Sequence, residues 1–144
     1  MIKYNHILLA TDFSEGTEYV AAKARELATQ MDAKLTLLHV VEPLPGYGYA
    51  FIGSAEIETH IVEEAKKRIM RLGEKIAVDD QDQRIELGPT KIEITKVAKE
   101  INADLIVIGS HGRHGFARLL GSTANAVVHN AKCDVLTVRI KEQK

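Results

Sequence analysis

The chain has 144 residues, 45% hydrophobic and 27% charged, with a formal net charge of -1, the profile of an ordinary globular protein of single-domain size. That balance leaves no basic face as a nucleic-acid footprint, and apolar runs such as residues 7–10 and 105–108 are far too short to span a bilayer. A lone cysteine, Cys133, excludes an internal disulfide, and no signal-peptide pattern opens the chain. The expectation is a soluble cytoplasmic protein with neither membrane nor nucleic acid as partner.

His6–Thr11 is short, continuous and apolar, as a parallel strand buried on both faces should be. Ser14 is placed to N-cap the next helix, with Glu15 and Glu18 in its first turn. Val20, Ala21, Ala24, Leu27, Ala28 and Met31 form its apolar stripe. Lys34–Val41 reads as the second strand, and residues 42–53, punctuated by proline and glycine, as a loop. The long helix that follows carries Ile57, Ile61, Ala65, Ile69, Leu72 and Ile76 on one face, expected to be core. Residues 84–87 alternate charged and apolar, a less buried third strand. Gly88-Pro89 breaks the chain, and Thr90 with Glu93 has the spacing of a capping box. The helix so begun faces inward through Ile94, Val97, Ala98 and Ile101, and Asn102-Ala103-Asp104 ends it. Residues 104–109 form the fourth strand. A fourth helix is expected over about residues 122–130, with Val127, Val128 and Ala131 as its stripe, before a fifth strand at 134–139.

The alternation β-α-β-α-β-α-β-α-β defines an α/β fold, a single doubly wound five-stranded parallel sheet with helices on both faces. No linker or repeat divides it, so residues 1–144 are expected to form one domain. Two strand orders are common for such sheets, 3-2-1-4-5 and 2-1-3-4-5. Polar and glycine-bearing residues follow strands one and four: Thr11-Asp12 after the first, Gly109 onward after the fourth. Ligands bind where strand order reverses, so this placement favours 3-2-1-4-5.

The segment after strand four holds Gly109, Gly112, Gly115 and Gly121, then Ser122 and Thr123 at a helix start. Glycines let a phosphate approach backbone N–H groups, and the helix start adds free N–H groups and a positive dipole end. Arg113, His114 and Arg118 add donors. The pattern is neither the Walker loop nor the dinucleotide fingerprint.

These residues resemble the universal stress protein family over essentially the whole chain. The resemblance is carried by His-Ile-Leu-Leu-Ala-Thr-Asp-Phe-Ser at 6–14, Leu-Leu-His-Val-Val at 37–41, Ile-Val-Ile-Gly-Ser-His-Gly-Arg at 106–113 and Leu-Leu-Gly-Ser-Thr-Ala-Asn at 119–125. It implies the order 3-2-1-4-5, homodimers, and a division into members that bind ATP and members that do not. ATP binders carry Gly, two residues, Gly, nine residues, Gly, then Ser or Thr. Gly109, Gly112, Gly121 and Ser122 match the fixed letters, which implies phosphate and ribose contacts, with Arg113 and Thr123 beside them. Asp12 matches the family's acidic pocket residue, and Ala10, Thr11 and Val40 fall where the family lines its adenine pocket. One departure stands out: eight residues, 113–120, separate the second and third glycines. The implied ligand is therefore ATP, with AMP or a magnesium complex as variants and none if the short loop prevents binding.

Other residues have a plainer role beside a functional one. Asp12 can hold a ribose hydroxyl or a metal-bound phosphate, or cap the first helix. Ser14 reads as a cap, since no histidine–acid pair accompanies it as a nucleophile. His39 is better read as a hydrogen-bonded structural residue. His111 and His114 lack partners for a metal, and Cys133 reads as a small buried residue. The tyrosines and Phe51 in the loop from Pro43 to Gly53 can cover a base or the sheet end. Strand five would be an exposed sheet edge, where a homodimer would pair. The expected function is a dimeric stress sensor or signalling module occupied by an adenine nucleotide. A nucleotide-free interaction module and a slow ATPase are the alternatives. No catalytic or metal site is expected.

Overall fold

Five strands alternate with four helices in the computed structural model, which describes residues 2–42, 54–110 and 120–140. They are β1 (His6–Thr11), α1 (Thr17–Met31), β2 (Lys34–Val41), α2 (Ser54–Ile76), β3 (Gln83–Leu87), α3 (Thr90–Glu100), β4 (Leu105–Gly109), α4 (Ser122–Asn130) and β5 (Asp134–Val138), with a 3-10 turn at Asp80–Asp82 before β3. All strands are parallel, in the order β3-β2-β1-β4-β5. The expected order holds, and β3 and β5 are its edges.

Strand side chains alternate between two cores, as the period of two requires. Ile7, Leu9, Leu35, Leu37, Leu105, Val107 and Val138 pack against α1 and α2 through residues such as Val20, Ala24, Ile69 and Leu72. Leu8, Ala10, Leu38, Val40, Ile106 and Ile108 face α3 and α4 through Ile94, Val97, Ala124 and Val127. β1 and β4 are thus covered on both sides, which is why they read as continuous apolar runs.

Several local expectations are corrected. α1 begins at Thr17 behind Gly16, whose φ of 93° suits glycine. Ser14 is not its cap, because its hydroxyl is bonded to Asp12, and Glu15 precedes the helix. The stripe of α2 is buried only from Ala65 onward; Ile57 and Ile61 are exposed. At 23 residues α2 is much longer than the strands it covers, so its first turns lie beyond the core. In α4 the second buried residue is Ala124, and Val128 is exposed. Cys133 is half-buried against the α3–α4 core.

The capping box at Thr90 is replaced by a longer-range version. Pro89 is the N-cap of α3 and gives no side-chain bond; the Glu42 carboxylate, at the end of β2, accepts the Thr90 N–H at 2.9 Å. At the opposite, amino end of the central strands, Asp104 accepts the N–H groups of Asn5 and His6 at 2.8 and 2.9 Å. His6 joins the Ile101 carbonyl at 3.0 Å and Thr36, a buried polar residue, at 2.7 Å. The amino ends of the strands are closed by these bonds.

Candidate functional site

The β1–β4 ladder ends at the Leu9–Val107 pair, although β1 runs to Thr11 and β4 to Gly109. Beyond that pair the chain leaves β1 toward β2 and leaves β4 toward β5, on opposite sides. This is the reversal point at which open parallel sheets receive ligands.

On the β1 side, the turn after the strand is tied by its own side chains. Thr11 Oγ1 accepts the Phe13 N–H at 3.2 Å, and Asp12 Oδ1 accepts the Ser14 N–H at 2.9 Å and its hydroxyl at 2.5 Å. Phe13 is held at a φ of 57°, a left-handed conformation uncommon for an aromatic residue. Arg68 of α2 braces it, donating to the Phe13 carbonyl at 3.2 Å with its guanidinium 4.7 Å from the ring centroid. The imidazole of His39 lies against the same ring at 4.3 Å. His39 Nδ1 is 2.7 Å from the Thr11 carbonyl; a carbonyl only accepts, so Nδ1 carries the proton. His39 is the hydrogen-bonded residue expected of it. A left-handed residue of this kind costs about 1–3 kcal/mol, and the bonds from Thr11, Asp12 and Arg68 hold the turn in that conformation.

On the β4 side, Ser110 gathers three segments. Its N–H donates to the Val138 carbonyl at 2.8 Å, its carbonyl accepts the Gly121 N–H at 2.7 Å, and its hydroxyl accepts the Ile140 N–H at 3.2 Å. The two ends of the glycine-rich loop are thereby clamped together. Gly121 is the N-cap of α4 with an extended φ of -61°, and the first bond within the helix is Asn125 N–H to its carbonyl at 2.9 Å. The amides of Ser122, Thr123 and Ala124 precede that bond, the donors a helix start offers to an anion.

Of the expected site residues, Ala10 and Val40 are buried at the ends of β1 and β2 on the α3–α4 face. Thr11 and Asp12 lead into the strained turn, and Gly109, Gly121, Ser122 and Thr123 flank the loop clamp. Gly112 and Arg113 lie outside the described residues, as do His111, His114, Arg118 and the segment with Tyr47, Tyr49 and Phe51. Among the described residues no three His, Cys, Asp or Glu side chains group as a metal site, and no helix is long and apolar enough to cross a membrane. Sequence reasoning passed over Arg68, Ser110 and Ile140. Only Gly16, a glycine one residue before a helix, left a legible signal.

A doubly wound parallel α/β domain with a glycine-rich loop clamped at its reversal point defines the class. The family model described as the universal stress protein family matches residues 3–139, and the chain belongs to that family. It is 44% identical over 144 residues to universal stress protein A homolog 2 of Coxiella burnetii, covering 98% of this chain and 99% of that one. It is 36% identical to a putative universal stress protein of Staphylococcus aureus (strain USA300), covering 99% and 88%. Among solved structures, the universal stress protein UspA from Lactobacillus plantarum aligns with a TM-score of 0.85 at 28% identity, over 96% of this chain and 100% of that one. A universal stress protein in complex with cAMP aligns with a TM-score of 0.67 at 26% identity, over 96% and 98%.

Proposed function

We propose that this chain is a stress-response protein whose 144 residues form one adenine-nucleotide-binding domain, with ATP as ligand, working in the cytoplasm as a homodimeric sensor or signalling module. The observation that carries the reading is the Ser110–Gly121 clamp, which holds the start of α4 at the carboxyl end of β4, the neighbour of the strand that leads into the braced Asp12 turn. α3 also begins at this end of the sheet, but a carboxylate of the chain, Glu42, already sits at its first turn. α4 starts from a glycine with no side chain to cap it. The relative bound to cAMP supports the choice of an adenine nucleotide.

In this reading Ala10, Thr11 and Val40 line the base and Asp12 takes a ribose hydroxyl or a metal-bound phosphate. Gly109, Gly112, Arg113, Gly121, Ser122 and Thr123 serve the phosphates. Any hydrolysis is slow and incidental, since Asp12 is engaged by Ser14 rather than poised as a base. The exposed edge of β5, with Leu136 41% accessible, is the dimer surface.

ATP at about a hundred times its dissociation constant adds roughly 2.7 kcal/mol, a rise in melting temperature of several degrees for a domain this size. The test is a thermal melt with millimolar ATP and magnesium, together with mass spectrometry of nucleotide carried through purification. No shift and no carried nucleotide would reject the reading. The eight-residue spacing favours a second one, a nucleotide-free interaction module. It requires Gly121→Val to leave cellular function intact while Leu136→Lys abolishes it.

A further inference from the structure

Gly109, the first fixed glycine of the loop, does not use glycine's conformational freedom. Among the described glycines only Gly16 and Gly88 have positive φ. What Gly109 leaves open is the space taken by the tip of one side chain, Ile140. A Cβ there would lie 2.9 Å from Ile140 Cδ1 and 3.6 Å from Val20 Cγ2. The same isoleucine crowds Gly16, where a Cβ would lie 2.7 Å from Ile140 Cγ2 and 3.2 Å from Cδ1. Ile140 therefore fills a notch with two glycine walls, one at the start of α1 and one at the end of β4. Its N–H is fixed on the Ser110 hydroxyl, and Ser110 in turn holds Gly121.

We propose that Ile140 is a positioning residue: seated between Gly16 and Gly109, it holds the Ser110–Gly121 clamp and so sets where the first amides of α4 stand relative to the Asp12 turn. Gly109 is glycine to seat Ile140. This deepens the nucleotide-site reading and rests on it only for the binding measurement below.

The test compares wild type, Gly109→Ala, Ile140→Val and the double variant by amide hydrogen exchange without nucleotide and by ATP calorimetry. Gly109→Ala places a Cβ 2.9 Å from Ile140 Cδ1 and so displaces the tip of that isoleucine from the notch; exchange at Gly121 then quickens by several-fold relative to the Leu8 and Leu38 amides, and ATP affinity falls. Ile140→Val deletes Cδ1 and leaves Cγ1 3.7 Å from the new Cβ, an ordinary contact. The double variant then regains the slow exchange and affinity of Ile140→Val alone, a non-additivity that marks direct coupling. A Gly109→Ala defect that Ile140→Val does not relieve overturns the proposal, and so does acceleration spread equally over Leu8 and Leu38. If Gly109→Ala does not fold, Ile140→Ala empties the notch instead; unchanged exchange at Gly121 in that variant overturns the proposal. A wild type that binds no ATP but shows the exchange pattern rejects the nucleotide reading and supports the positioning role.

Discussion

Replacing Glu42 by alanine removes a helix cap delivered from 48 residues upstream. The carboxylate accepts the N–H of Thr90 at 2.9 Å, and the Thr90 hydroxyl bonds to it as well. It also lies at the positive end of the α3 dipole. Side-chain caps contribute about 0.5–2 kcal/mol and a charge at a helix terminus about 0.3–1 kcal/mol. Glu42 is exposed, and solvent screening holds the electrostatic part near its lower bound, so the combined loss is about 1 kcal/mol. For a chain of this length that lowers the melting temperature by roughly 2–4 °C. Glu42→Gln keeps an acceptor oxygen but no charge and should lose about half as much.

The pH dependence identifies the mechanism. The Thr90 N–H, then its hydroxyl, hold the Glu42 carboxyl below its ordinary value of 4.5. With the folded value depressed, the unfolded chain binds more protons over the interval between the two. The contribution is complete above 4.5 and disappears as pH falls through the folded value. Circular-dichroism melts of wild type and Glu42→Ala should differ fully at pH 7 and converge in acid. A gap of the same size at pH 3 and pH 7, or none at either, would refute the capping role.

Leu38→Ala empties a fully buried site between β2 and the α3–α4 layer; it should cost about 3 kcal/mol, read by urea unfolding with an unchanged m-value. Burial holds the His6 imidazole below its ordinary 6.5, outweighing the Ile101 carbonyl, which favours the protonated ring. Its contribution is therefore present above pH 6.5 and lost as pH falls through the folded value, so wild-type stability should decline from pH 7.5 to 5.5 more steeply than that of His6→Gln. Burial, then the neighbouring Asp134, push the Cys133 thiol up; it should react with a thiol-specific disulfide reagent at pH 8 more slowly than free cysteine, and a rate equal to free cysteine would contradict the packing.

The sheet was legible because its central strands lie under helices on both faces. Such strands must be apolar without interruption, and the segments at 7–10 and 105–108 are. The ends of elements were less legible because long-range partners decide them. Nothing near Thr90 reveals that Glu42 rather than Glu93 will cap it. Ser14 has the composition of a cap, yet Asp12 two residues earlier takes its hydroxyl. Ile57 and Ile61 share a stripe with Ala65 and Ile69, but periodicity records only the face of a helix and not how far the sheet beneath it extends. At the proposed site, glycine spacing pointed to the carboxyl end of the strands, where the sheet order reverses. It could not show that Gly109 makes room for Ile140, a contact across 31 positions.

The short loop acquires a definite physical meaning from the clamp. Ser110 and Gly121 meet through a 2.7 Å bond, so ten residues, 111–120, must close between them, where the family's spacing has eleven. Closure entropy grows only as the logarithm of length, and the difference is about 0.1 kcal/mol. The deletion therefore leaves the meeting of the ends almost untouched, and the start of α4 and the Asp12 turn keep their places. In the proposed nucleotide site its effect therefore falls on the length of the segment between the clamped ends, not on the clamp. Inserting one glycine after Arg113 separates the two effects. It should leave the melting temperature of the nucleotide-free protein within about 1 °C, while any change in ATP affinity measures the loop amides alone. A large loss of stability on insertion would show that the ends, and not the contents, of the loop depend on its length.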